Sequence, residues 1–452
     1  MYIVSIMLHV LIGILVYFNE ALAKFYFLFI VIYFLNRIVR SPKNKMTVEV
    51  LSACAYMVGA EVFLRMNHGT FFYEASKYLI IIYVLLGIIS NGVSRKAIIY
   101  VVYLLLLIPG IFVAVNEMGF ETNIRKAVAF NLSGPVCLGL TALFCYKRNV
   151  SVDTLKVVIT LFLLPLISMA VYLFLYTPNL QEVVTDTGSN FEASGGFGPN
   201  QVATVLGIGL FAATVRFFIV KGPRFYKAFD LLLLGLMGFR ALVTFSRGGV
   251  LTALVMIAFF VLLYYFKVNL KTKFRIKAYL IIFVLMALVT WMVSSIQTSG
   301  FLDKRYANQD AAGREKEDVT TGRVDLLVYE LSEFMDNPFL GIGVGKIKEI
   351  RKDETGVEAA SHNEMSRIIA EHGLLGVIAF LILLITPLVF RFTNRSNLFF
   401  YSFYLFWFLT INHSAMRIAA PAFIYGLCLL NITYESKTQD PRLKIQNPKT
   451  KT

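Results

Sequence analysis

The sequence predicts an all-α fold: a polytopic transmembrane helical bundle of about 12–14 spans with one large helical external loop. Three observations predict it. Hydrophobic residues make up 57% of the 452-residue chain, with a mean hydropathy of +0.68, above the roughly half-apolar composition of soluble domains. The apolar residues come in blocks of roughly 17–25, the length a helix needs to cross a bilayer's hydrocarbon core. Basic residues fall in short runs after alternate blocks, the pattern of cytoplasmic loops.

Taken in order, the first block, MYIVSIMLHVLIGILVYF, lacks a basic leader and a small-residue cleavage site, so it reads as a retained span over 2–18. Further blocks follow at 22–39, 47–65, 77–91, 97–116, 127–146, 154–176, 201–220, 226–245, 249–266, 276–295, 373–390, 398–413 and 417–433. Every even-numbered block exits into positive charge. The sites are Arg40, Lys43 and Lys45; Arg95 and Lys96; Lys147 and Arg148; Lys221, Arg224 and Lys227; Lys267, Lys271, Lys273, Arg275 and Lys277; and Arg391 and Arg395. The tail adds Lys437, Arg442, Lys444, Lys449 and Lys451. Those loops, and both termini, are therefore expected in the cytoplasm. This placement also accounts for the net charge of +15 and the pI near 9.5. It leaves no nucleic-acid partner to invoke, and membrane lipids are the expected surroundings.

The chain then divides into N-terminal transmembrane helices (1–176), an external loop (177–200), transmembrane helices with an SRGG motif (201–295), a large external loop (296–372), C-terminal transmembrane helices (373–433) and a cytoplasmic tail (434–452). Within the large loop, VDLLVYELSEFM (324–335) has helical apolar spacing and should pack back on the membrane domain. Asn337-Pro338 stops it, and GIGVG (341–345) reads as a flexible turn. Cys54, Cys137, Cys145 and Cys428 lie in or beside apolar blocks without metal-ligand or disulfide spacing, so they are expected as small buried hydrophobes. There is no internal repeat and no low-complexity tract.

Cations at the outer level are the anomaly, because topology leaves few there. Arg240 and Arg247 are seven residues apart near the outer end of the ninth block, and share a face if one helix runs through both. Arg417 opens the last block at the same depth, and Arg323 sits in TGR within the large loop. Ionisable residues at membrane depth usually face a cavity or a partner. Several guanidiniums at one level suit a pyrophosphate, whose oxygens they pair through parallel hydrogen bonds. The alternative for each is snorkelling to the interface.

His362 sits in ASHNEMSRIIAEHGLLG, where Ser361 and Glu364 form a capping box that would put it in a helix's first turn. The positive end of a helix disfavours imidazolium, and a neutral imidazole is what a general base requires. His372, beside Gly373, reads as a helix-end cap, and His413 as a supporting group behind the site; His9 and His68 carry no signal. In SGGFGPNQVA (194–203), Pro199 suits a helix start, and Asn200 and Gln201 have the amides to bind sugar hydroxyls or phosphate. With no Walker motif, dinucleotide fingerprint or Cys/His metal set, no metal and no cofactor are expected. The lack of a DxD-like pair favours an activated lipid donor over a nucleotide sugar.

The ordered set GPN, SRGG, TGR, NPFLGIGVG, SHNE and HGLLG resembles the O-antigen ligase and O-antigen polymerase superfamily of bacterial envelope enzymes, over roughly residues 195–390. The resemblance implies a glycosyltransferase of the bacterial inner membrane with its active site on the periplasmic face. Its donor would be an undecaprenyl-pyrophosphate-linked glycan, and its acceptor a hydroxyl of lipid A-core or of another glycan. It implies phosphate-binding roles for Arg247 and Arg323 and an essential loop histidine at His362. Where family members often carry Trp after the TGR arginine, this chain has Leu327, Val328 and Tyr329. A polymerase joining lipid-linked repeats and a protein O-oligosaccharyltransferase are the alternatives within the superfamily. A non-enzymatic polysaccharide flippase is the alternative outside it.

Overall fold

The computed structural model describes residues 2–119, 122–318, 320, 322–356 and 361–434. The basic tail residues named above, and Thr321 of TGR, lie outside the described residues. The chain is all-α. In order the helices are α1 (Tyr2–Phe18), α2 (Ala21–Val39), α3 (Lys43–Met66), α4 (Ala75–Asn91), α5 (Ile98–Leu106), α6 (Pro109–Glu117), α7 (Ile124–Cys145), α8 (Val152–Tyr176), α9 (Leu180–Val183), α10 (Pro199–Ile219), α11 (Arg224–Leu242), α12 (Arg247–Lys267), α13 (Leu270–Gln297), α14 (Phe301–Tyr306), α15 (Arg323–Asp336), α16 (Lys346–Thr355), α17 (Glu364–Thr393), α18 (Phe400–His413) and α19 (Ala420–Cys428). A short parallel pair, β1 (Asn149–Ser151) and β2 (Asn431–Thr433), ties the exit of α7 to the end of α19.

Among the described residues, nine helical segments are long and apolar enough to cross a membrane, and α1 and α4 are shorter apolar helices. Helix limits differ from the block limits at several points. The block at 97–116 breaks into α5 and α6 at Pro109, which cannot donate into the preceding turn. α18 and α19 have 14 and 9 residues; at about 1.5 Å per residue neither covers a 30 Å hydrocarbon core alone. α10 is the central helix, with 94% of its apolar window buried, whereas α13 is peripheral at 6%. The four cysteines are free and buried.

The large loop holds three helices, α14 to α16, and the start of a fourth. α15 ends at Asn337 as the sequence predicts, but its packing is only partly as expected. Glu330 is its buried residue and Val324, Leu326 and Leu327 line the cavity described below, while Val328, Leu331 and Met335 are exposed, so only part of the apolar stripe packs back on the bundle. The GIGVG segment is also not a loose turn. Gly341, Gly343 and Gly345 all take positive φ, a region open to glycine. Their segment is wedged between helices: Ile342 N donates to Ala370 O (3.0 Å), Gly343 N to Glu371 O (3.1 Å) and Val344 N to Gly110 O (3.0 Å).

Candidate active site

The loop side chains converge on one cavity of about 320 Å³. Its lining includes Asn200, Arg247, Arg305, Arg323, Glu330 and His362. The elements that carry them are α10, α12, α14, α15 and the turn before α17.

The helix does not run on from Arg240 to Arg247. α11 ends at Leu242, Phe245 takes φ +60°, and α12 starts afresh at Arg247. The break separates the two arginines. Arg247 lines the cavity and donates to Asn308 Oδ1. Arg240 is buried outside it, where its Nη2 donates to the carbonyls of Leu173 (2.7 Å) and Ala193 (3.1 Å) and its Nη1 to that of Thr177 (3.5 Å). Arg240 thus fastens the 177–200 loop to the bundle. The glycines of SRGG allow α12 to sit close to its neighbours. A Cβ on Gly248 would come within 2.7 Å of the His413 ring, and one on Gly249 within 2.6 Å of Ala203.

Arg305 of α14 is a cavity arginine that the sequence did not single out. It is one of several cations in the loop, and only the fold separates it from Lys304 and Arg314. Its Nε donates to Phe245 O at 3.2 Å, which places it under the start of α12. Burial lowers the pKa of both Arg305 and Arg323; Arg247 and Arg323 add to this at Arg305, and Arg247 at Arg323. Guanidiniums that depress one another in this way form a site suited to an anion.

His362 is placed by a different device from the expected capping box. Asn363 is the N-cap of α17, its side chain accepting from Met365 N (2.9 Å) and Ser366 N (3.4 Å). Ser361 Oγ instead accepts from Asn363 N at 3.1 Å, and Glu364 pairs with Arg367. His362 therefore precedes the helix. Ala415 N donates to its carbonyl at 3.1 Å, and Arg417 Nη2 donates to Ser361 O at 3.0 Å. Arg417 thus supports the histidine turn from behind and does not line the main cavity. The imidazole is kept neutral by burial first and then by Arg417, Arg323, Arg351 and His413, which together push its pKa down to about 4. Its Nδ1 is buried with no hydrogen-bond partner among the described residues.

Glu330 is a carboxylate in this cationic cavity that the sequence reading missed. It accepts from Ser366 Oγ and pairs with Arg351 at 3.4 Å. Burial raises its pKa, against bonds from Ser366 and Ser361 and the charge of Arg351. Asn200 Oδ1 accepts from Ser246 Oγ at 2.7 Å at the cavity edge. Gln201 turns away, its Nε2 3.5 Å from Tyr73 OH. His413 is buried behind Gly248, with Nε2 3.3 Å from Thr204 Oγ1. His372 does not cap a helix end. It is buried just before Gly373, which breaks α17 at φ +59°, and neither ring nitrogen has a hydrogen-bond partner among the described residues.

Residues 232–381 match the family model for O-antigen ligase. Over this stretch, about a third of its length, the chain is similar to O-antigen ligases. No curated protein matches it. The O-antigen ligase match spans Arg247, Arg305, Arg323, Glu330 and His362, so most of the cavity wall falls inside it. Asn200, His413 and Arg417 lie outside. The match supports an enzyme of O-antigen ligase type, and the long apolar helices support a multi-pass membrane protein.

Proposed function

We propose that the chain transfers a glycan from undecaprenyl pyrophosphate to an acceptor hydroxyl, as a ligase acting on lipid A-core at the periplasmic face of the bacterial inner membrane. The observation that carries this reading is one cavity lined jointly by Arg247, Arg305, Arg323 and a neutral His362. The arginines match the pyrophosphate charge, which grows as the glycosidic bond breaks. His362 takes the proton of the acceptor hydroxyl as its oxygen attacks the anomeric carbon. The new carbon–oxygen bond forms as the old one breaks, and polyprenyl pyrophosphate departs with the bonding pair. A single displacement of this kind inverts the anomeric centre and uses no metal. The positive-inside charge pattern supports the periplasmic placement.

The test is transfer in vitro by purified protein carrying Arg247→Ala or His362→Ala. Each should lower the rate by about 100-fold or more. Near-normal rates in both would end the proposal. Product analysis separates a ligase from a polymerase: loss of a ligase leaves full-length chains on the lipid, whereas loss of a polymerase leaves single repeats.

A further inference from the structure

A second set of buried charges lies outside the cavity, in a part of the chain the family match does not reach. Glu61 and Arg65 pair at 2.7 Å one turn apart on α3; Glu74 and Lys77 pair at 2.6 Å; Arg65 reaches Glu74 at 4.0 Å. Lys77 Nζ donates to Ser133 Oγ at 3.2 Å on α7. None of the four charged residues is more than 7% exposed. Taking ions out of water costs several kcal/mol each, and well-packed apolar side chains would often hold helices together as well or better. Such groups at membrane depth call for a role beyond cohesion.

The outward hydrogen bonds of the cluster point to that role. Glu61 Oε2 accepts from Ala419 N at 2.7 Å, and Arg65 Nη1 donates to Arg417 O at 2.8 Å. Together they grip the turn between α18 and α19, where Ala415 takes φ +50°. That turn holds the histidine loop through Ala415 N and the Arg417 guanidinium. A small cavity of about 20 Å³ lies between Lys77, Ser361, Glu364, Arg367 and Arg417, enough for one bridging water.

We propose that the Glu61–Arg65–Glu74–Lys77 cluster is a positioning device: it fixes the 415–419 turn and so sets Arg417 beside His362. The inference rests on the role given to His362 above. Arg417 is the first of the charges acting on the imidazole, ahead of Arg323, Arg351 and His413. Arg247 and Glu330 also line the cavity with it. Releasing the turn lets Arg417 withdraw, and the proton affinity of His362 then rises.

The experiment uses the full-length purified protein. Diethyl pyrocarbonate modifies neutral imidazole, so the pH midpoint of its reaction at His362, read by peptide mass spectrometry, reports the histidine without relying on transfer. Arg65→Gln should move that midpoint up by about half a unit or more. It should lower kcat about tenfold, with the donor KM changed less than about threefold. Arg65→Lys should recover part of both. Asp230→Asn breaks a buried pair with Arg216 (3.2 Å) elsewhere in the bundle and should leave the midpoint in place. If Arg65→Gln does not fold, the isosteric Glu61→Gln is read in the same way. A wild-type midpoint and kcat in the folded cluster variant overturns the inference, as does an equal shift in Asp230→Asn. Transfer that survives His362→Ala sinks the proposed function instead, while the modification midpoint still decides the positioning claim.

Discussion

The lowered proton affinity of His362 leads to a pH prediction that separates the free enzyme from its complex with donor. With an ordinary value of 6.5, His362 is pushed down to about 4, by burial and then by Arg417, Arg323, Arg351 and His413. A general base must be neutral, so activity is present above this pKa and is lost as pH falls through it. The acid limb of kcat/KM, which reports the free enzyme, should therefore lie near pH 4. A bound pyrophosphate changes the balance, because its negative charge opposes that of the arginines. A unit charge about 7 Å away at an effective dielectric of about 20 contributes about 2.4 kcal/mol, or about 1.7 pKa units. The acid limb of kcat, which reports the bound complex, should thus sit at least about one unit higher than that of kcat/KM. Arg323→Gln removes one of the depressing charges and should move the kcat/KM limb upward. The assay is steady-state transfer to a soluble acceptor in mixed buffers between about pH 3 and 9. Coincident limbs near pH 6.5 in wild type, unmoved in Arg323→Gln, would refute the assignment of His362 as base.

Two further outcomes test the packing argument. Gly248→Ala places a Cβ within 2.7 Å of the His413 ring; overpacking of this kind costs about 1–3 kcal/mol, so thermal unfolding should shift down and transfer should fall. An unchanged melting temperature would show that α12 and α18 can separate freely. Arg240→Gln strips hydrogen bonds from buried carbonyls at Leu173, Thr177 and Ala193, at about 1–3 kcal/mol for each acceptor left unmet. Its melting temperature should drop, with the donor KM within about twofold of wild type because the residue stands outside the cavity; a large rise in KM would return Arg240 to the binding site.

The fold class was legible because hydrophobic block length is a direct consequence of bilayer thickness. Most helix limits followed from it. The exceptions have local causes: Pro109 splits one block into α5 and α6, and Gly373 breaks α17 where the large loop rejoins the bundle. The convergence of Arg247, Arg323 and His362 on one cavity agrees with the motif order. The cause of the neutral imidazole was misread. Ser361 and Glu364 have capping-box spacing, but Asn363 is an equally good N-cap two residues further along the chain, and spacing alone does not choose between them. Arg305, Glu330 and the support given by Glu61 and Arg65 depend on contacts between distant segments. No periodicity in a single chain records such contacts. The packing of α15 was foreseen in part: it lies against α17 and walls the cavity, but Val328, Leu331 and Met335 stay exposed, because an apolar stripe is equally satisfied by a protein core or by lipid.

That stripe has a practical consequence. Val328, Leu331 and Met335 are exposed apolar residues on α15, the helix that also walls the cavity, and Phe339, Leu340 and Leu374 are exposed as well. In bulk water these residues would draw other copies of the protein together. Whatever amphiphile coats the bundle during extraction must therefore also wet this helix, so detergent belt size becomes a variable in every rate measured on the solubilised enzyme.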